Sequence, residues 1–414
     1  MNPFEKYLPI MEARRRLPLD GDDPFSVCMD EVLSQTEAII SGRHTILAGT
    51  NNYLGLTHNP PAIAAARAAL EKMGTGTTGS RVANGTFAGH RELEAALAAF
   101  FGTRKAMVFS TGYQANLGMI STLAGPKDYI LIDADCHASI YDGCRLGGAT
   151  VIRFRHNDAG DLDKRLRRLD TKPSATKLVV IEGIYSMLGD QAPLADIVRV
   201  KDDHDACLLI DEAHSLGVLG ATGRGLAQEV GLEDKVDFIV GTFSKSVGTV
   251  GGFCVSNYAD FDVIRLVCRP YVFTASLPPS VVASAIVALG TIRDRPDLRE
   301  KLWANARRMF NGLANAGLRV GAGNSPIVTV VIDDQDTAVH FWDQLLKRGV
   351  YVNLALPPAT PQGLYLLRCS LCAAHSDEQI DTMIDVFTAI GEEFGVVNGA
   401  VSETRLAATG AKTG

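Results

Sequence analysis

Two side chains, each placed where a strand stops, give this chain its first chemical signal. Lys245 stands alone between Ser244 and Ser246 in "GTFSKSVGTVGG" (241–252), just after the apolar run Phe238, Ile239, Val240. Asp211 heads "DEAH" (211–214), at the carboxyl end of the strand-like "CLLIDEA" (207–213). A lysine amine held at such a place can attack a carbonyl carbon. An acid at the carboxyl end of a buried strand lies where open α/β sheets bind ligands, and can face a cationic group. A surface turn for the lysine and a structural ion pair for the acid are the competing readings.

Together the pair suits pyridoxal phosphate. The lysine amine would form a Schiff base, and the acid would keep the pyridinium nitrogen protonated so that the ring can draw electrons. Such a cofactor needs an anion site. In "FSTGYQANLG" (109–118), Gly112 and Tyr113 open a helix straight after a strand, where free backbone N–H groups and the helix dipole attract phosphate. Thr242 and Ser244 lie beside the lysine with hydroxyls to donate. A flat partner for the ring is also needed, and "DADCHASIYDG" (133–143) puts His137 just past another strand end. Stacking on the ring with acid/base work is one role for it; a helix cap or a core hydrogen bond is the plainer one.

The elements that must position these residues form an alternating pattern. Strand candidates at 105–110, 129–134, 149–154, 177–183, 207–213, 237–243 and 251–256 are near-continuous apolar runs, as expected of strands covered on both faces. Helical patterns fill the gaps, including 112–124 and 137–148. The fold class is therefore α/β with a mostly parallel sheet. From about residue 286 long helices alternate with a few strands (325–333, 350–355, 364–370), which predicts a smaller α+β domain. The expected division is an N-terminal arm over 1–45, a large domain over 46–285, a small C-terminal domain over 286–397 and a loose tail over 398–414.

Composition closes off other classes. The 414 residues are 46% hydrophobic and 21% charged, with a net charge of -7 and no basic block, which argues against a nucleic-acid surface. The N-terminus lacks a secretory pattern and the longest apolar run is too short to span a bilayer, so a cytoplasmic protein is expected. The "YLPIMEARRRL" stretch (7–17) reads as an arm packing across a dimer, with peripheral membrane contact as the alternative. "GTGTTG" (74–79) follows a helical pattern rather than a strand, so it is a glycine loop and not a dinucleotide fingerprint. No Gly-Lys pair exists to supply the P-loop that an ATPase reading of "DEAH" requires. Cys369 and Cys372 form a C-x-x-C inside an apolar strand and read as core cysteines, with no metal site expected.

Taken in order, "NNYLGL" (51–56), "GTGTTGSRVANGTFAGHRELE" (74–94), "STGYQANLG", "HASIYDG", "EGIYSMLGD", "DEAHSLGVLG", "GTFSKSVGTVGG" and "LRCSLCAAH" (367–375) resemble the α-oxoamine synthases, a group of fold-type I pyridoxal phosphate enzymes. The resemblance covers nearly the whole chain. It implies that Lys245 carries the cofactor and moves the substrate's α-proton, that Asp211 pairs with the pyridine nitrogen, and that His137 stacks on the ring. It further implies that His214 bonds the phenolic oxygen and Ala213 lines the ring, with Gly112, Tyr113, Thr242 and Ser244 on the phosphate. Thr274 and Ser276, in "FTASLPP", would reach the phosphate of a partner subunit in a homodimer with composite sites. Asn52, Ser186 and Arg368 would contact the amino acid, Arg368 by its carboxylate.

"TFSKS" and "PPATP" (357–361) are similar to the serine-using branch of that group, which implies L-serine and a long-chain acyl-CoA as substrates. Use of glycine or alanine with another acyl-CoA is the alternative. Some members of the branch carry an arginine immediately before "PPATP", where this chain has Leu356.

Overall fold

The computed structural model describes residues 2–19, 21–170, 175–323 and 325–397; the expected tail, 398–414, lies outside them. At its centre is a seven-stranded sheet: β1 (Lys105–Phe109), β2 (Tyr129–Asp133), β3 (Thr150–Phe154), β4 (Lys177–Glu182), β5 (Cys207–Asp211), β6 (Phe238–Thr242) and β7 (Gly252–Ser256). The spatial order is β1-β7-β6-β5-β4-β2-β3, and only β7 runs antiparallel to its neighbours. Every residue of β4, β6 and β7 is buried, as the unbroken apolar runs require of strands covered on both faces.

Parallel register brings the carboxyl ends of these strands to one edge. Glu182 is the register partner of Asp211, and Asp211 of Val240. Two helices frame that edge, α1 (Gly112–Leu123) and α2 (Ala138–Gly147). Thr111 caps α1 by accepting the Gln114 N–H at 3.1 Å, so the helix starts three residues after β1 ends. The two helices pack closely because α2 presents glycine to α1. A Cβ on Gly147 would lie 2.6 Å from the Ala124 carbonyl oxygen and 3.0 Å from Ser121 Cα.

The C-terminal part holds a three-stranded antiparallel sheet made from residues 327–332, 365–370 and 353–355. The expected strand at 350–355 is divided. Residues 350–351 pair in parallel with 43–47, and only 353–355 join the small sheet. Residues 31–47, of which 31–45 fall in the expected arm, form three short strands that continue into that pairing. The boundary expected at 285/286 falls inside one helix, α3 (Pro279–Asp294). The helix Leu8–Arg15 has no buried residue. Among the described residues no helix is long and apolar enough to cross a membrane.

The α1–α2 contact yields a prediction. Gly147→Ala forces a methyl into backbone atoms of α1 and should destabilise the protein by about 1–3 kcal/mol. The check is the denaturant midpoint of the variant against the parent. An unchanged midpoint would mean that the helices separate without cost.

Candidate active site

Lys245 lies in the turn between β6 and β7. Phe243, fully buried and stacked on Phe253 at 5.6 Å, anchors the start of that turn, and the Gly248 N–H closes it on the Lys245 carbonyl at 2.9 Å. The half-buried lysine opens onto a cavity of about 290 Å³ at the strand ends. Burial pushes its amine down to about 8, against the attraction of Asp211 and Glu182, and the Arg368 charge pushes the same way as burial.

Asp211 is only 5% exposed. Its Oδ1 accepts the Ala213 N–H at 2.9 Å and its Oδ2 accepts Asn116 Nδ2 at 2.6 Å. Beside it Glu182 accepts the His137 backbone N–H at 2.5 Å. Burial, and then the Asp211 charge, drive Glu182 far above the usual carboxyl range, so it is the acid pushed toward its neutral form. His137 caps α2, its Nδ1 accepting the Ser139 N–H at 3.2 Å, and it also lines the cavity. The plain role and the functional position coincide in one residue. Burial holds its imidazole low, Asp211 opposes that and Lys245 adds to it.

His214 places Nδ1 2.8 Å from the Tyr53 hydroxyl, and burial keeps it well below the ordinary histidine range. Nε2 is then the nitrogen left for a ligand. On the other side of the cavity, Gly112 and Tyr113 open α1 against Thr242 and Ser244, whose hydroxyls lie 2.8 Å apart. A Cβ on Gly112 would come within 2.7 Å of Thr242 Cβ, so only glycine leaves the helix N-terminus this close to the strand. An amine, a buried acid, an imidazole ring and a helix N-terminus flanked by two hydroxyls thus share one cavity. These residues fit pyridoxal phosphate.

The structure does not bring every candidate residue to this cavity. Arg368 lies behind it, buried, donating Nε to the Ser186 carbonyl at 2.5 Å and its other nitrogens to Asn51 Oδ1 at 3.2 Å and Ser370 Oγ at 2.8 Å. These partners are all neutral. Asn52 donates to Thr57 Oγ1 at 2.8 Å, while its own Oδ1 is buried without a partner. Thr274 bonds Gln114, and Ser276 is held by Thr77, Gly79 and Gly85; neither lines the cavity of its own chain. Cys369 and Cys372 are both buried free thiols.

Sequence reasoning missed Asn116, Ser139, Glu182, Tyr53 and Asn51. It also missed a second polar cluster, in which His156 bridges Asp133 (Nδ1, 2.8 Å) and Asp190 (Nε2, 2.6 Å) and meets the Tyr185 ring edge-on at 4.5 Å. Glu182 and Asp133 end apolar runs just as Asp211 does, so the strand-end rule applied to Asp211 would have found both.

Comparison with known proteins agrees with this geometry. The chain matches the family described as aminotransferase class I and II over residues 43–387. It is 57% identical to a serine palmitoyltransferase of Caulobacter vibrioides over 96% of this chain and 98% of that one. It is 55% identical to a serine palmitoyltransferase of Sphingomonas paucimobilis over 94% and 92% of the two chains. A solved serine palmitoyltransferase with a pyridoxal phosphate internal aldimine superposes with a TM-score of 0.93 at 52% identity, covering 96% of this chain and all of that one.

The His156 cluster gives a pH prediction. Burial alone would lower this imidazole, but hydrogen bonds to Asp133 and Asp190 outweigh it and push it up from 6.5 to about 10. A group raised on folding stabilises fully below its unfolded value and loses that contribution as pH rises through the folded one. The melting-temperature gap between parent and His156→Asn should therefore be widest at or below pH 6.5 and shrink toward pH 10. A gap independent of pH would mean that His156 is not cationic in the fold.

Proposed function

The chain belongs to the class I and II aminotransferase family and, within it, to the serine palmitoyltransferases, and we propose that it condenses L-serine with a long-chain acyl-CoA. The Cα–H and Cα–carboxylate bonds of serine break, Cα bonds the acyl carbonyl carbon and regains one proton, and the thioester C–S bond is cleaved, with the departing CoA sulfur taking up a proton. CoA, carbon dioxide and 3-oxosphinganine are the products. The observation that carries the reading is the single cavity that Lys245 shares with buried Asp211, His137, His214 and the first turn of α1.

When bound, pyridoxal phosphate supplies an electron sink for negative charge at the α-carbon. Lys245 holds the cofactor at rest and then moves the α-proton on Nζ, a task suited to an amine that is partly free base near pH 7. Asp211, fixed by Asn116 and the Ala213 N–H, keeps the proton on the pyridine nitrogen. His137 and His214, which line the cavity, would hold the ring, His214 through the Nε2 that its Tyr53 bond leaves free. The first turn of α1, with Thr242 and Ser244, takes the phosphate.

Arg368 is the candidate for the serine carboxylate, with Asn52 and Ser186 beside it. A buried guanidinium with only neutral partners, close enough to depress Lys245 and His214, favours an anionic ligand. Leu356, where some relatives carry arginine, leaves Arg368 the larger share of that recognition. Thr274 and Ser276 act in the partner's site of a homodimer. Their position outside the cavity of their own chain supports this, as do the exposed Leu266 and Phe273 (75% and 72%) nearby, an apolar face that a second copy would cover. The exposed helix Leu8–Arg15 fits an arm on that dimer.

Steady-state CoA release with serine, glycine and alanine, each against acetyl- and palmitoyl-CoA, tests the reading. Serine with palmitoyl-CoA should be fastest, since each buried methylene contributes roughly 0.8 kcal/mol. Faster turnover with glycine and a short thioester would overturn it. Arg368→Ala should raise the KM for serine roughly 10- to 100-fold and leave that for acyl-CoA nearly unchanged. Mixing Lys245→Ala chains with chains altered at Thr274 and Ser276 should restore activity in the hybrid dimers, and no recovery would assign each site to a single chain.

A further inference from the structure

We infer that Ser139 and Asn116 are positioning residues that fix the tautomer of His137, with its proton on Nε2, and join that choice to the Asp211 carboxylate. Hydrogen-bond direction carries the argument. A backbone N–H can only donate, and the Ser139 N–H points at His137 Nδ1 at 3.2 Å, so Nδ1 carries a lone pair. The Ser139 hydroxyl lies 2.8 Å from the same nitrogen. That hydroxyl oxygen already accepts Asn116 Nδ2 at 3.0 Å, which leaves its hydrogen for His137. Asn116 cannot be turned round, because its Nδ2 also donates to Asp211 Oδ2 at 2.6 Å and a flip would set its carbonyl oxygen against the carboxylate. The other Asp211 oxygen is occupied by the Ala213 N–H.

Donors therefore run one way, from Asn116 to Ser139 to Nδ1, with the second amide hydrogen of Asn116 on Asp211. Asn116 and Ser139 are 2% and 1% exposed, so water does not compete for these groups. The contact spans two helices, and Gly143 permits it, since a Cβ there would meet the Asn116 carbonyl oxygen at 3.0 Å. Nδ1 being taken, His137 faces the cavity through Nε2, for which no partner is found among the described residues. The charged and titratable groups around it are Asp211 from β5, His214 from the loop after β5, Lys245 from the turn after β6, Glu182 from β4 beneath its backbone N–H, and Tyr113 from α1 with ring centroids 6.3 Å apart. Protonating Nδ1 would set its hydrogen against the Ser139 N–H and reverse the hydroxyl bond, so the network and burial favour the same neutral ring.

The tautomer stands on this geometry alone; its consequence for turnover rests on the proposed function. The test is nitrogen NMR of the ¹⁵N-histidine-labelled holoenzyme, with the His137 signals assigned by their loss in His137→Asn. Between about pH 6 and 8 the parent should show a protonated Nε2 and a hydrogen-bonded, unprotonated Nδ1. In Ser139→Ala and Asn116→Ala the titration midpoint of His137 should rise, because donors to the neutral form are lost. Ser139→Thr, which keeps the hydroxyl, should restore it. CoA release by Ser139→Ala should fall roughly 3- to 10-fold in kcat with little change in the KM for serine. A protonated Nδ1 in the parent overturns the inference even if no variant folds, and so does an unmoved midpoint in Ser139→Ala. A parent with the expected tautomer but no serine-dependent CoA release overturns the proposed function and leaves this inference intact.

Discussion

Two carboxyl groups buried side by side set the terms for everything around them. Glu182 and Asp211 sit at matched positions on neighbouring parallel strands, each under a tenth exposed. Buried acids this close cannot both ionise freely, and each needs donors. The fold supplies them from three directions, the Ala213 N–H, the Asn116 amide and the His137 N–H, and the Lys245 charge attracts both acids from a fourth. Each of these donors belongs to a different loop or helix at the carboxyl edge, so satisfying the acids draws the edge together. The same arrangement leaves the lysine desolvated and therefore less basic, which is the property that its chemistry requires.

A second cluster repeats the solution one strand away. Asp133, at the end of β2, and Asp190 share His156, and Asn157 donates to Asp190 at 2.7 Å. This clamp holds the loop that carries Ser186, whose carbonyl takes Arg368 Nε. In the first cluster a lysine is poised and reactive. In the second, two acids surround one imidazole and hold it cationic, which suits a strut. Adjacent strand ends of one sheet thus use the same electrostatics with two acids to one base, differing in that His156 hydrogen-bonds both of its acids directly whereas Lys245 feels its pair through charge.

The central sheet was legible because strands covered on both faces must be apolar throughout, and each of the seven runs ends within two residues of its expected limit. Lys245, Asp211, His137 and Gly112 were legible because strand ends and helix starts are marked by abrupt changes in residue type. Asn116 and Ser139 were not: they sit inside helical patterns, where a polar residue reads as solvated face until its neighbours are known. The segment 350–355 looked like one strand because it opens on the β-prone Val350, Tyr351 and Val352 and carries no turn signal after them. Its division between two sheets depends on partners at 43–47 and 365–370, which local pattern cannot supply. Asn51 escaped for a similar reason, since its contact with Arg368 spans 317 positions.

That divided segment also orders events in time. The lysine cavity is lined wholly by residues between Thr111 and Gly251, whereas the arginine pocket needs Asn51, Ser186 and Arg368 together and is tied by the Ser370 N–H to the Ala48 carbonyl at 2.6 Å. Contacts of such different sequence separation form at different rates, and closing the longer loop comes later. During synthesis every residue that lines the lysine cavity is made while Arg368 is still to come. A nascent chain therefore holds the whole lining of that cavity before it holds the buried guanidinium behind it.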